Sequence, residues 1–255
     1  MDTETPPLYG RHPVVEALRA ENRRVEELAV LGEGRGSALQ EVLSLARRLG
    51  VRVSYRTRDQ LTAMAGSPDH QGVVARVASA GYRSLDELCE LARAATEPAF
   101  FLAMDQVQDP RNLGAVLRSA EATGVHGVIV SRHRAVGLTG GVARSAMGAL
   151  ELVPVARVGN LVTALNRLKE EGVWIAGAVT TGGRPPWEQE LSGPICLVFG
   201  GEGAGLRPLV ARTCDHLLTL PMRGRLGSLN VSAAAAALCF EVVRQRARLS
   251  GAEKA

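Results

Sequence analysis

Lysine, cysteine and long apolar runs are scarce in this chain of 255 residues. Lys169 and Lys254 are the only lysines among its 30 basic residues, so the basic charge comes almost entirely from arginine. No apolar run approaches the roughly 20 residues that a membrane-spanning helix needs. The acidic and polar start, Met1–Pro7, lacks the features of a secretory signal or transit peptide. We therefore expect a cytoplasmic protein.

The four cysteines are far apart and form no Cys-x-x-Cys pair. They are Cys89, Cys196, Cys214 and Cys239. This spacing favours buried apolar thiols over zinc ligands or a disulfide framework. We expect no metal site.

Two common nucleotide-binding motifs are also missing. The segment Asp105–Gly114 follows the first apolar strand of the second half, and it contains no Gly-x-Gly-x-x-Gly. A later loop has Gly201 and Gly203, but Leu206 occupies the position of the third glycine. No Gly-x-x-x-x-Gly-Lys-Ser/Thr occurs either. These absences argue against a Rossmann oxidoreductase and a P-loop NTPase.

The overall composition, 46% hydrophobic and 22% charged, is that of an ordinary globular protein. The charge is uneven along the chain. Residues 1–97 carry 13 arginines against 14 acidic residues, a net charge of −1, whereas residues 98–255 carry 17 basic against 12 acidic residues, a net charge of +5. The isoelectric point near 9.2 suits a nucleic-acid partner and gives weak support for one.

The alternation of strands and helices predicts two α/β units. In the first half, apolar strands are expected at Val25–Leu31, Val51–Tyr55 and Gly72–Ala78. A capping box at Ser84 begins a helix in the joint between the halves, where the charge balance changes. We predict a first domain over residues 1–80, a linker over 81–97 and a second domain over 98–255.

The second half reads as a parallel sheet covered on both faces, because its strands are nearly continuous apolar runs. The expected strands are Phe100–Met104, Val125–Val130, Leu152–Val155, Val173–Val179, Ile195–Phe199 and His216–Leu220. Two glycine-rich loops, Gly200–Gly205 and Pro221–Asn230, follow the last two strands. Since glycine lets backbone lie against a ligand, two such loops at the ends of neighbouring predicted strands indicate a binding site.

The loop after Met104 and the helix that follows it carry polar residues whose roles the local sequence does not decide. Asp109-Pro110 predicts a turn, and Asn112 is either the N-cap of the next helix or a ligand contact. Arg118 lies beside the apolar face of that helix. Considered alone, a single arginine in this position is more commonly a helix-surface residue than a ligand contact.

Three segments in order carry a family resemblance. They are NLGAVLR at Asn112–Arg118, FGGEGAGL at Phe199–Leu206, and Leu220–Met222 followed by Ser228–Ser232. They closely resemble the three motifs of the SpoU (TrmH-type) RNA 2′-O-ribose methyltransferases of the SPOUT superfamily. Tyr9–Val14 and His70–Ala75 resemble the branch that methylates a guanosine ribose in large-subunit (23S) ribosomal RNA. The resemblance covers about residues 8–248.

This resemblance implies an L30e/L7Ae-like α/β RNA-binding domain, followed by an α/β domain with a parallel sheet and a deep trefoil knot. It also implies S-adenosyl-L-methionine as cofactor, ribosomal RNA as substrate, and a homodimer formed through the knotted domain. The residues that match cofactor contacts are Gly200, Gly201, Leu220, Leu229 and Thr180. Those that match catalytic and RNA-contacting residues are Arg118, Asn112, Glu202, Ser228 and Asn230.

The resemblance leaves the removal of the 2′-hydroxyl proton open. Family proposals give Arg118 that role, but a guanidinium is effectively always protonated. We expect Arg118 to hold the target phosphate and the 2′-oxygen, oriented with the substrate by Glu202, Ser228 and Asn230. The alternative is an arginine that only binds RNA, with deprotonation assisted by the substrate.

Other functions on the same fold are an antibiotic-resistance methyltransferase of ribosomal RNA, a transfer-RNA methyltransferase, and a non-catalytic ribosome-assembly protein. Retention of all five residues matched to catalysis argues against the last. The third motif departs from close relatives at Gly227, where a small polar residue is frequent, and it is preceded by Arg223 and Arg225. The departure affects the expected docking of RNA rather than the chemistry.

Overall fold

The computed structural model describes residues 7–19, 25–32, 37–77, 81–249 and 251. By their contacts, these residues divide into two compact units. The first contains the described residues up to Gly81 together with Leu138–Leu152, and the second contains Tyr82–Gly137 and those from Val153 onward. The domain boundaries at residues 80 and 97 stay a prediction. In the contact division, the segment assigned to a linker falls largely in the second unit.

The first unit is built on a mixed four-stranded sheet. Its elements from the first half of the chain are β1 (Leu8–Tyr9), α1 (Arg11–Arg19), β2 (Val25–Leu31), α2 (Ser37–Arg48), β3 (Arg52–Arg56), α3 (Arg58–Ala65) and β4 (Val73–Val77). The strand order is β1-β4-β2-β3, with β2 and β3 parallel and the other pairs antiparallel. A capping box between Thr57 and Gln60 begins α3, and Gly66 ends it with φ of +64°.

The remaining elements follow in chain order: α4 (Leu85–Ala94), β5 (Phe100–Asp105), α5 (Pro110–Ala122), β6 (Gly127–Ser131), α6 (Gly140–Ala146), α7 (Ala149–Leu152), β7 (Val155–Val158), α8 (Leu161–Glu170), β8 (Trp174–Ala178), β9 (Ile195–Gly200), α9 (Pro208–Thr213), β10 (His216–Leu218) and α10 (Val231–Leu249). Of these, α6 and α7 belong to the first unit, where they contact β1 and α1. The capping box predicted at Ser84 is confirmed. No helix among the described residues is both long and apolar enough to cross a membrane.

The second unit contains a parallel six-stranded sheet in the order β10-β8-β9-β5-β6-β7. Every residue of β5 and β6 is buried, which explains why these strands read as unbroken apolar runs. Because β5 and β9 are adjacent and parallel, the loops at their carboxyl ends lie together at one edge of the sheet. Such an edge is where ligands bind in open α/β sheets.

The structure overturns two expectations about this half and excludes one of the two roles left open for Asn112. First, Leu152–Val155 is not a strand: Ala149–Leu152 is helical, and the strand begins at Val155, after Pro154. Met147 and Gly148, both at positive φ, end α6 and allow a second helix to start. Proline then interrupts that helix before the strand.

Second, Asn112 does not cap α5. Asp109 is the N-cap, its side chain accepting from the backbone N–H of Arg111, and Pro110 occupies the first turn. Third, β9 and β10 are not neighbours, because β8 lies between them. The end of β8 therefore contributes to the same edge.

Candidate active site

A glycine loop, Gly200–Leu206, follows β9 and closes on itself. The backbone N–H of Gly205 donates to the carbonyl oxygen of Gly201 at 3.1 Å. A Cβ added at Gly200 would lie 2.0 Å from the carbonyl carbon of Gly205, a distance that backbone cannot accommodate. Gly203 has φ of +82°, in the region that side chains disfavour. The closed form of the loop therefore requires glycine at Gly200.

The glycine loop also packs against the carboxyl end of β5. A Cβ at Gly201 would lie 2.5 Å from the carbonyl oxygen of Gln106. After the loop, Arg207 donates to the Asp105 carboxylate from its backbone N at 3.0 Å and from its Nε at 2.8 Å. The Asp105 side chain is fully buried, with 0% exposed. The loop is thus attached to β5 at both of its ends.

Sequence reasoning missed Asp105 and Arg207 as site residues. Asp105 ends the apolar run of β5, and Arg207 directly follows the glycine loop. A carboxylate at the buried end of a strand needs a charged or hydrogen-bonding partner. That requirement was the available signal for both residues.

A cavity of about 570 Å³ lies beside the glycine loop, within the range of roughly 300–1,000 Å³ typical of small-molecule sites. Its walls come from the end of β8, the glycine loop and the two segments of the third motif. All five residues expected to contact the cofactor line it: Thr180, Gly200, Gly201, Leu220 and Leu229. Glu202, Ser228 and Asn230 line it as well.

A chain of hydrogen bonds joins the three sequence motifs. The Nδ2 of Asn112 donates to Oε1 of Glu202 at 2.6 Å, and the Nδ2 of Asn230 donates to Oδ1 of Asn112 at 3.0 Å. The Oδ1 of Asn230 accepts from the backbone N and the hydroxyl of Ser232, at 2.9 and 2.6 Å. Asn112 is buried, with 8% exposed, and both the nitrogen and the oxygen of its side-chain amide are hydrogen-bonded within the protein.

The charge of Glu202 fixes the direction of this chain. Burial raises the pKa of Glu202, but hydrogen bonds from Asn112 and from backbone N–H groups such as that of Gln108 outweigh it and hold the pKa below its ordinary 4.5. Glu202 is therefore a carboxylate at neutral pH and can only accept hydrogen bonds. Asn112 must turn its NH₂ group to Glu202, which leaves its oxygen for Asn230.

Arg118 and Ser228 are placed differently. Arg118 is exposed on α5, outside the residues that line the cavity, and its guanidinium forms no hydrogen bond or ion pair with another described residue. Ser228 lies on the exposed segment that lines the cavity. The structure therefore brings together four of the five residues matched to catalysis, without direct contact for Ser228. The guanidinium of Arg118 remains available to bind a ligand.

The lining of the cavity fits S-adenosyl-L-methionine. Glycines bring backbone N–H and C=O groups to the surface of the cavity, where they can bind the polar ends of the ligand. Leu220, Leu229 and Leu238 add apolar walls suited to an adenine ring. The Cβ that Gly200 lacks would destroy this wall.

Comparison with known proteins gives two family matches. Residues 99–240 match the SpoU rRNA Methylase family, and residues 7–83 match a family described as RNA 2′-O ribose methyltransferase substrate binding. Together these matches cover both halves of the chain.

Relatives and solved structures agree with these matches. The chain is 42% identical over 241 residues to the 23S rRNA (guanosine-2′-O-)-methyltransferase RlmB of Coxiella burnetii, and 40% identical over 240 residues to that of Ralstonia nicotianae, covering 94% of this chain and 95% of each relative. The SpoU methyltransferase AviRb from Streptomyces viridochromogenes, solved with AdoMet, superposes with a TM-score of 0.80 at 27% identity, covering 94% of this chain and 89% of that one. The A. aeolicus TrmH/SpoU tRNA modifying enzyme covers 65% of this chain and 84% of its own, with a TM-score of 0.55 at 25% identity.

Proposed function

Because the chain belongs to the SpoU rRNA methylase family, we propose that it transfers a methyl group from S-adenosyl-L-methionine to the ribose 2′-hydroxyl of a guanosine in 23S ribosomal RNA. The observation that carries this proposal is the chain of hydrogen bonds from Glu202 through Asn112 to Asn230 at the wall of the cavity. A protein that only bound RNA would have no use for a buried amide oriented by a carboxylate beside a cofactor-sized cavity.

The cofactor, bound through Thr180, Gly200, Gly201, Leu220 and Leu229, supplies the methyl group on a sulfonium. The protein has to hold the ribose hydroxyl in line with that methyl group. Alignment of this kind is worth effective molarities of roughly 10⁵ M or more.

Glu202, Ser228 and Asn230 are the polar groups that face the ribose. Glu202 accepts a hydrogen bond from the 2′-hydroxyl or its neighbour, and Asn112 holds the Glu202 carboxylate in place. Arg118, with its five N–H donors uncommitted, binds the target phosphate and the 2′-oxygen. Positive charge beside the oxygen lowers the pKa of the hydroxyl, which eases loss of its proton.

The share of this chain that each relative covers favours ribosomal RNA over transfer RNA as the substrate. The transfer-RNA-modifying relative spans 65% of this chain, whereas the relatives named for 23S rRNA span 94%. The part of this chain that the 23S rRNA relatives match beyond the transfer-RNA-modifying enzyme includes the first unit. We propose that a domain over residues 1–80 binds the RNA substrate. Residues 98–255 are then the methyltransferase domain, with residues 81–97 connecting the two. Action on ribosomal RNA places the protein in the cytoplasm.

We also propose a homodimer formed through the knotted domain. Large apolar side chains are exposed on the second unit, notably Phe240 on α10 and Trp187, at 55% and 57%. A second copy of the chain would cover such residues. Light scattering is expected to give twice the chain mass for the wild type and the chain mass for Phe240→Glu; a monomeric wild type would refute the dimer.

The function is tested by transfer of labelled methyl to RNA. Purified protein, labelled cofactor and unmodified 23S rRNA are expected to give one new 2′-O-methylguanosine, absent from the rRNA of cells without the gene. Transfer to tRNA alone, or methylation of other positions that confers drug resistance, would assign a different substrate. Calorimetric titration that detects no cofactor binding would favour the non-catalytic reading.

A further inference from the structure

A second cavity, of about 530 Å³, lies on the other side of the glycine loop. It shares five residues of that loop with the first cavity: Gly201, Glu202, Ala204, Gly205 and Leu206. Its remaining wall comes from Gln106, Gln108 and Asp109 after β5, and from Arg207 and Pro208 at the start of α9. Glu202 therefore faces both cavities.

The backbone at Gln106 is held in an unusual conformation. Its φ is +63°, a value that is uncommon for a residue with a side chain and costs roughly 1 kcal/mol or more. The surrounding structure enforces it: the N–H of Gln106 donates to Oγ of Ser131 at 3.2 Å, and its carbonyl oxygen packs on Gly201. Strain of this kind persists only where the surrounding structure enforces it, and it is concentrated at active sites and ligand-binding segments.

The side chains in this cavity differ in what they can still bind. Arg207 is occupied by Asp105, and Asp109 by Arg111 at 2.9 Å. The side-chain amides of Gln106 and Gln108 have no hydrogen-bond partner among the residues that the structure describes, although the backbone N–H groups of both residues are bonded. Each amide presents a donor and an acceptor side by side. Nucleobase edges carry the same pairing in complementary order, and bidentate amide contacts are a common way of reading them.

We propose that the second cavity receives the base of the nucleotide whose ribose is methylated, and that Gln106 and Gln108 hydrogen-bond to its edge. This inference rests on the proposed function. The base is attached to the ribose carbon next to the one that bears the 2′-hydroxyl. The base and the 2′-hydroxyl lie on opposite faces of the ribose ring. A ribose held at Glu202, with its 2′-oxygen toward the first cavity, therefore directs its base away from the cofactor.

The target nucleotide must then be unpaired and turned out of its stack, since the cavity admits a base and not a duplex. Its base and the two glutamines form one recognition unit. Removing the base or shortening the amides should affect the same step. Cofactor binding, on the other wall of the loop, should not change.

A mutational cycle tests this with an RNA fragment whose target nucleotide either is intact or lacks its base but keeps the 2′-hydroxyl. The variant is Gln106→Asn combined with Gln108→Ala; asparagine tolerates positive φ, so the backbone strain is not increased. With intact RNA, kcat/KM is expected to fall roughly ten- to hundredfold. Gln189→Ala, a glutamine of the same unit outside both cavities, is the matched control.

If the contact exists, removing the base lowers kcat/KM of the wild type by a similar factor and lowers that of the variant little further. If the losses in kcat/KM from removing the base and from the double substitution multiply, the two act independently, and the proposed base site is overturned. A variant with the kcat/KM of the wild type would also overturn it. Failure of the proposed function is a separate result, because the wild type would then methylate no intact 23S rRNA fragment. Cofactor titration and thermal unfolding of the variant are expected to match the wild type, and a loss in either would also count against a site confined to the base.

Discussion

The side-chain amide of Asn230 donates a hydrogen bond of 3.0 Å to the side-chain oxygen of Asn112, across 118 positions of sequence. This bond connects the start of α10 with the first turn of α5, and Asn112 continues it to Glu202. The third motif is thereby tied to the first, and both are tied to the glycine loop. The relative positions of Glu202 and Asn230 depend on one buried amide.

Asn112→Asp tests that dependence. The substitution replaces the donor 2.6 Å from Glu202 with a second carboxylate, so the two acids repel each other. Loss of a hydrogen bond to a charged group costs about 1.5–3 kcal/mol, which predicts a fall in kcat of roughly ten- to hundredfold at saturating RNA and cofactor. Single-turnover measurement gives the rate. Asn166→Asp, an exposed change on α8, is the control, and wild-type turnover by Asn112→Asp would contradict the role of the network.

The sequence left the role of Asn112 open for a physical reason. Asp109 and Asn112 are both good N-cap residues, and local preference cannot decide which residue begins the helix. Pro110 at the start of α5 moves the cap to Asp109 and places Asn112 inside the first turn. The partner that gives Asn112 its function is 90 residues away, at Glu202, and no local pattern encodes that distance.

Gly200→Ala should abolish cofactor binding. The added methyl group would lie 2.0 Å from the backbone of Gly205, so the glycine loop has to open. Calorimetric titration is expected to detect no heat of binding for S-adenosyl-L-methionine, while thermal unfolding remains cooperative. Gly224→Ala is the control, because a Cβ there meets no atom within 4 Å. Equal binding by both variants would rule out the closed form of the loop as the cofactor wall.

The pair of Asp105 and Arg207 should contribute to stability. Removing one partner of a fully buried ion pair costs about 3–5 kcal/mol, and the 45% exposure of Arg207 reduces this to roughly 2–3 kcal/mol for Arg207→Met. Chemical denaturation measures the change. Adding Asp105→Asn to Arg207→Met should cost less than the two single losses together, since the second change removes the unpaired charge. Strict additivity would mean that the two side chains act independently.

The individual strands of the parallel sheet were easier to predict than the order in which they lie in the sheet. Strands β5, β6 and β9 were recognisable because a parallel sheet buries both of their faces, which leaves an unbroken apolar run in the sequence. The placement of β8 between β9 and β10 is a property of the whole chain, and the side chains of a strand do not record which neighbour it has. The same limit applies to residues 138–152, whose short helices contact α1 and β1 and belong to the first unit. The trefoil knot stays a prediction from the family.

Stability should fall as the pH drops below 6.5. Burial, and then the charge of Arg246, lower the pKa of His126 below its ordinary 6.5, so the unfolded chain takes up a proton there before the folded protein does. This contribution to stability is complete above pH 6.5 and is lost progressively below it. His126→Asn can still accept the hydrogen bond from the Phe100 N–H, and it should flatten the decline between pH 7 and pH 5 measured by urea unfolding. An unchanged slope would show that other groups cause the decline.

Arg118 is the residue for which chemistry and binding have to be separated. Arg118→Lys keeps the charge but replaces a planar fork by a single ammonium, which cannot bind phosphate and 2′-oxygen in the same fixed geometry. We expect kcat at saturating RNA to fall roughly tenfold or more, with RNA affinity changed little, since lost charge-assisted hydrogen bonds cost about 1.5–3 kcal/mol. Arg212→Lys, an exposed arginine of α9, is the control.

The two readings of Arg118 diverge in Arg118→Ala. If the guanidinium acts on the 2′-hydroxyl, the rate stays low however much RNA is added. If it only binds RNA, the loss appears in the Kd for RNA and disappears at saturation, which leaves deprotonation to the substrate itself. Wild-type turnover by Arg118→Lys would remove the need for the planar fork. Because the guanidinium of Arg118 forms no hydrogen bond or ion pair with any residue that the structure describes, neither variant breaks such a bond, and a change in rate can be attributed to the substrate.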